Sequence, residues 1–214
     1  MAAQRVDTDS ERTDVDEGPL VDGSDDLDGS GDFSDSDEAD DSDDSDSDDS
    51  DDELYGFAVA VVYDEGRWSC TPLSDDAREG LDHAVTELRD MRAAGPVFGL
   101  VDVDEAFFAV IRPGPGVVHL ALSDGASAVD YDLAADILDV LGVDVPDLTP
   151  DELEEFDPCP EGDLGVLADL GLPEPVLGLI MDEIELYPDE QLAMIAERLG
   201  FDEEFAAALD GLDR

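Results

Sequence analysis

Two histidines, two cysteines and one tryptophan are the side chains of this 214-residue sequence best suited to chemistry. His83 lies on the side of a helical repeat away from Leu81, and His119 stands on a strand with Val117 and Ala121 on its side. Neither has a second histidine or a cysteine at metal-ligand spacing. Cys70 and Cys159 permit one bridge, but are too few for a disulfide framework or a four-cysteine zinc site. Cys159 is flanked by Pro158 and Pro160 with no base beside it and reads as an inert thiol, while Ser69-Cys70 has no histidine neighbour in sequence. Gly114 and Gly116 alternate with prolines between two strands, so they do not form a phosphate loop opening a helix. Asp182, Glu183 and Glu185 cluster on one helix and read as a solvated face. The residues therefore predict a non-enzyme, with no catalytic centre, cofactor or metal.

Two binding constellations remain. Arginine is scarce (nine copies, with no lysine), so Arg67, Trp68 and Arg112 would matter if one cleft gathered them around a small molecule or nucleotide. Pairing with surface carboxylates accounts for the arginines as well, and core or rim packing for Trp68. Phe201, Phe205, Leu209 and Leu212 fall at i, i+4, i+8 and i+11, an apolar ridge on an acidic helix. Such a ridge either closes the chain's own helical unit or seats in a partner's groove.

The elements that would position these residues read β-β-α-β-β-β-α. Residues 55–63, YGFAVAVVY, are apolar on both alternating faces, as in a strand covered on two sides. Asp64-Glu65-Gly66 is a turn into a second strand, 67–71. Ser74 caps a helix whose Ala77, Leu81, Ala84, Val85, Leu88 and Met91 share a face, and Gly95-Pro96 stops it. Strands follow at 97–103, 106–112 and 117–123, joined by short turns that imply antiparallel neighbours. A further helix runs from about Ser127 to Leu141. The sequence thus predicts an α+β domain over 54–146, with a mainly antiparallel five-stranded sheet and packed helices, in the element order of longin-like and roadblock-like modules. That likeness carries little functional weight. Residues 147–214 predict a small all-helical unit, docked or tethered, with helices at 150–156, 164–170, 174–186, 189–199 and 202–212 and a rigid loop at 157–162.

Charge is the dominant compositional fact. Against 9 arginines stand 62 acidic residues, a formal net charge of -53. A chain so negative has no surface to displace counterions from phosphate, and an anionic membrane would repel it. Residues 1–53 carry a net -22, and Leu54 onward -31. From Ser34 the sequence runs SDSDEADDSDDSDSDDSDDE, which cannot bury enough surface to offset ordering, so 1–53 is predicted to be a disordered tail. It could bind cations, accept phosphate or act as a decoy for a basic surface, although the calcium-loop pattern fails; a solvating tail is the simpler reading. A salt-adapted or GC-rich organism would account for part of this composition. The N-terminal residues are acidic rather than basic-then-apolar, and no run reaches 18 apolar residues, which predicts a cytoplasmic protein without a membrane span.

The runs LYGFAVAVVYDEGRWSC, FGLVDVDEAFFAVIRPGPG and ADLGLPEPVLGLIMDEIELYPDEQLAMIAERLGF resemble the actinobacterial family of tRNA adenosine deaminase-associated proteins. The similarity covers roughly residues 54–212, and GDLGVLADLGLPEPVL is its most specific part. The family takes its name from genes neighbouring that of the deaminase, so the resemblance implies a cytoplasmic accessory protein with no catalytic residues to carry over. It does not imply deamination. Zinc deaminases need His-x-Glu and Pro-Cys-x-x-Cys, whereas His83 is followed by Ala84 and Val85, and Pro158-Cys159 by Pro160, Glu161 and Gly162. Three readings follow. The chain binds a tRNA adenosine deaminase through acidic complementarity, restraining tRNA access or serving as a scaffold. Alternatively, it is a small-molecule or nucleotide-binding module. More remotely, it is a free-standing nucleic-acid mimic.

Overall fold

Val59 and Val61 face one side of the first strand and Ala58 and Ala60 the other, and all four are buried. That double burial is what an apolar run without alternation requires. In the computed structural model, which describes residues 55–153 and 157–212, this strand (β1, Gly56–Asp64) lies between β2 (Arg67–Pro72) and β3 (Val97–Val103). The sheet continues through β4 (Phe107–Gly114), β5 (Val117–Leu122) and β6 (Glu161–Gly162), in the order β2-β1-β3-β4-β5-β6, every pair antiparallel. The fold is α+β, as the sequence predicts, with six strands among the described residues rather than five. The sixth lies where the sequence predicts a rigid loop: two residues are too short to show a periodicity, and they join the sheet through Leu122–Glu161 and Ala121–Gly162 pairing. The predicted tail, residues 1–53, lies outside the described residues.

One sheet face carries Ala58, Ala60, Val101, Phe107, Ile111 and Leu120 against the helices before residue 142. The single helix expected after Ser74 is split into α1 (Asp76–Glu79) and α2 (Leu81–Asp90), because Gly80 is extended between them, φ −160° and ψ 146°. Ser74 does not cap by its side chain; its hydroxyl donates to Glu87 Oε1 at 2.5 Å and its N–H to Oε2 at 3.1 Å. The next helix is likewise divided, into a 3-10 turn over Gly125–Val129 and α3 (Asp132–Leu141). Asp124 caps the turn by accepting from the Ala126 N–H at 2.9 Å.

The opposite face carries Val59, Val61, Phe98, Leu100, Phe108 and Val110 against the C-terminal helices. After α4 (Pro150–Leu153) and β6, residues 164–170 form only turns and a short 3-10 segment, Ala168–Leu170, in place of the expected helix. Then come α5 (Glu174–Met181), shorter than the expected 174–186, α6 (Pro188–Leu199) and α7 (Asp202–Leu212). Gln191 Nε2 donates to the carbonyls of Ile180 and Glu183 at 2.8 and 3.2 Å, fastening α6 to the end of α5. The helical unit is thus packed on the sheet, which becomes the middle of three layers.

Candidate functional site

Strand register decides which predicted residues meet. Arg67 pairs with Asp64, and Trp68 with Tyr63. Alternation therefore puts Trp68 on the face of Val59 and Val61 and Arg67 on the other, where it is exposed. Arg112, next to Ile111 of the first core, turns to the face of the C-terminal helices. The structure does not bring Arg67 and Arg112 together, and the expected cleft of Arg67, Trp68 and Arg112 is not formed. Trp68 packs instead on Tyr63, Phe201 and Phe98, with ring centroids 4.6, 5.1 and 6.3 Å away.

Arg112 is a clamp. Its Nη1 donates to the Val166 carbonyl at 2.7 Å and, together with Nη2, makes a bidentate pair with Asp169 at 2.5 and 2.8 Å. This fixes the segment entering the C-terminal helices to β4. The arginine's hydrogen bonds hold the Asp169 carboxyl below its usual range. His119, opposite Arg112 on β5, lies 3.3 Å from Asp163. These five residues line an open cleft of about 610 Å³ beside the β4–β5 turn. Arg89 lines it as well, and Arg112 already gives three hydrogen bonds to protein acceptors.

The apolar ridge divides. Phe201 and Phe205 are buried, with Phe205 edge-on to Phe57 at 5.6 Å. Leu209 is half-buried and Leu212 exposed, so only the last turn of α7 reaches the surface. The thiols are subdued: burial, reinforced by Glu204, pushes Cys70 up to about 12, and burial followed by Asp124 raises Cys159. His83 is exposed. Among the described residues no group of three or more His, Cys, Asp or Glu is placed to hold a metal ion.

The residue that sequence reasoning passed over is Asp102. It stands on β3, opposite Phe57 and Phe108, facing the second core, and is 2 % exposed. Its Oδ1 is buried and has no hydrogen-bond partner among the described residues. Burial, then the charges of Asp189 and Glu105, push its carboxyl up to about 7 against a hydrogen bond from the Glu105 backbone. The signal was there: one carboxylate at a core-facing position of VFGLVDV, a strand covered on both sides. In a chain so acidic, one more aspartate did not stand out. Asp102 borders a recess of about 230 Å³ with Tyr55, Phe57, Glu105, Asp189, Leu209 and Leu212. The adjoining turn is unusual, since Asp104 and Glu105 both have positive φ, 53° and 54°. Asp104 is tied down by the Tyr55 N–H at 2.5 Å and by the Tyr131 hydroxyl.

Comparison with known proteins places this architecture. The family model described as Rv3753c-like tRNA adenosine deaminase-associated protein matches residues 56–202. The chain belongs to this family. The match runs from β1 to the first residue of α7 and so spans both faces of the sheet. "Protein Rv3753c" of Mycobacterium tuberculosis is 52 % identical over 159 residues, covering 74 % of this chain and 90 % of that relative. No solved structure matches. The family's description names association with a deaminase rather than deamination itself.

Proposed function

We propose that the chain is a non-catalytic, cytoplasmic accessory protein that binds a tRNA adenosine deaminase through its acidic surface and thereby modulates access of tRNA. Membership of a deaminase-associated family carries this reading. Electrostatics supply its mechanism. An enzyme that grips tRNA must present a basic surface to phosphate, and residues from Leu54 onward hold 38 acidic residues against 7 arginines. The two surfaces attract one another and exclude the same competitor. No helix among the described residues is long and apolar enough to cross a membrane. The small-molecule alternative loses its motive with Arg67 and Arg112 on opposite faces of the sheet.

The test is tRNA deamination by the deaminase encoded in the same genome, with and without the full chain, at low and high salt. The expected result is a change in rate at low salt that fades at high salt. No change at either salt, with no complex on a sizing column, refutes the proposal.

A further inference from the structure

We infer that the recess bordered by Asp102 is a binding site for a cationic side chain, arginine or lysine, of a protein partner. The inference rests on the association proposed above for who that partner is, and on this chain alone for the chemistry of the site. At the base of the recess stands a carboxylate that is 2 % exposed and has one oxygen without a donor among the described residues. A buried polar atom left unpaired is costly, and proteins pair such groups with few exceptions. Once ionised, the carboxylate needs a donor there, and the surrounding charge favours a positive one: Glu105 and Asp189 line the same recess. Among the described residues no lining group is basic; the walls are Tyr55, Phe57, Leu209 and Leu212.

Those walls argue for a side chain rather than a bare ion. A recess of about 230 Å³ with aromatic and leucine sides suits the aliphatic stem of an arginine or lysine, whose head would then meet Asp102, Glu105 and Asp189. A divalent cation would need several oxygens converging on one point, and among the described residues no such group of three exists. The rim suits a protein partner. Tyr55 is 69 % and Leu212 43 % exposed at the recess. Glu105 also borders a neighbouring recess where Ile184 and Tyr187 are 67 % and 61 % exposed. Apolar contacts around a buried charged anchor are the pattern of an interface hot spot. The end of the α7 ridge is therefore the wall of the site rather than a groove-seeking helix face.

The test titrates the full chain with N-acetylarginine methylamide and with its neutral citrulline counterpart. The methyl signals of Leu209 and Leu212 and the carboxyl carbon of Asp102 are followed by NMR. The expected result is saturable shifts confined to those groups, about tenfold weaker for citrulline and lost in Asp102→Asn. Asp189→Asn, a change at an exposed position, is expected to weaken binding without affecting the fold. Equal response to both probes, shifts spread over the acidic surface, or a stronger response of these groups to Ca2+ would overturn the inference. So would movement of the same signals on Arg214→Ala without probe, which would give the recess to the chain's own arginine. A pull-down of the deaminase separates this inference from the association. Retention of the deaminase by wild type and undiminished by Asp102→Asn refutes the site. No retention, alongside a positive arginine titration, refutes the association and supports the site.

Discussion

At the residue scale, Asp102 gives the protein a stability that depends on pH in the opposite sense to most aspartates. Its carboxyl is raised from 3.8 to about 7 in the folded chain. Between these values the folded state holds a proton that the unfolded state has released. The contribution is therefore fully present below the unfolded value and is lost as pH rises through about 7. A rise of that size corresponds to about 4 kcal/mol at most. The groups that maintain the shift are burial first, then Asp189, Glu105 and Asp104. Asp102→Asn removes the charge while keeping the shape. The variant is expected to be the more stable protein at pH 8, with the gap closing toward pH 4, as read by denaturant unfolding at both values. A gap that widens on acidification would mean that Asp102 works as a structural carboxylate. A residue that costs stability where the protein works has the profile of a functional one.

At the scale of elements, β6 shows how two residues can be essential to an edge. Gly162 has φ +96°, and a Cβ there would meet the Leu120 carbonyl of the neighbouring strand. The Asp163 N–H then donates to that same carbonyl at 2.7 Å, leading into the segment that Arg112 clamps. Gly162→Ala combines a left-handed backbone with a backbone collision and is expected to cost about 2 kcal/mol. Hydrogen exchange should show the loss first at Leu122 and Asp163, whose N–H groups face β6 and β5 respectively; unchanged protection there would contradict this account of the strand. The β3–β4 turn makes the complementary point. Two non-glycine residues at positive φ are expensive at a hairpin, and here they set Glu105 beside Asp102. Glu105→Gly is expected to raise stability by about 1 kcal/mol in thermal unfolding while lowering the pKa of Asp102, because it relieves the backbone and removes a like charge.

For the whole molecule, the decisive quantity is charge. If the folded part supplies the complementary surface, a chain lacking residues 1–53 keeps its association with the deaminase, because residues from 54 on still carry a net -31. Co-elution at low salt, lost as salt is raised, is the expected outcome. Association that disappears with the tail would instead favour a nucleic-acid mimic acting through its Ser-Asp repeat. The sequence by itself determined the α+β class, the antiparallel neighbours and the central position of β1, because local periodicity and short turns report directly on burial and pairing. It also determined the charge and the family resemblance. It did not determine β6, the break at Gly80 or the end of α5 at Met181, since each depends on contacts made outside its own segment. The ridge of Phe201, Phe205, Leu209 and Leu212 was legible as a helix face. Only packing against Phe57 and Trp68 showed that its first half is core and its last turn the wall of a recess. Asp102 was one acid among 62 until the helices after residue 162 covered the second face of the sheet. Burial is a property of the assembled layers, and it alone turned that carboxylate into a group in want of a cation.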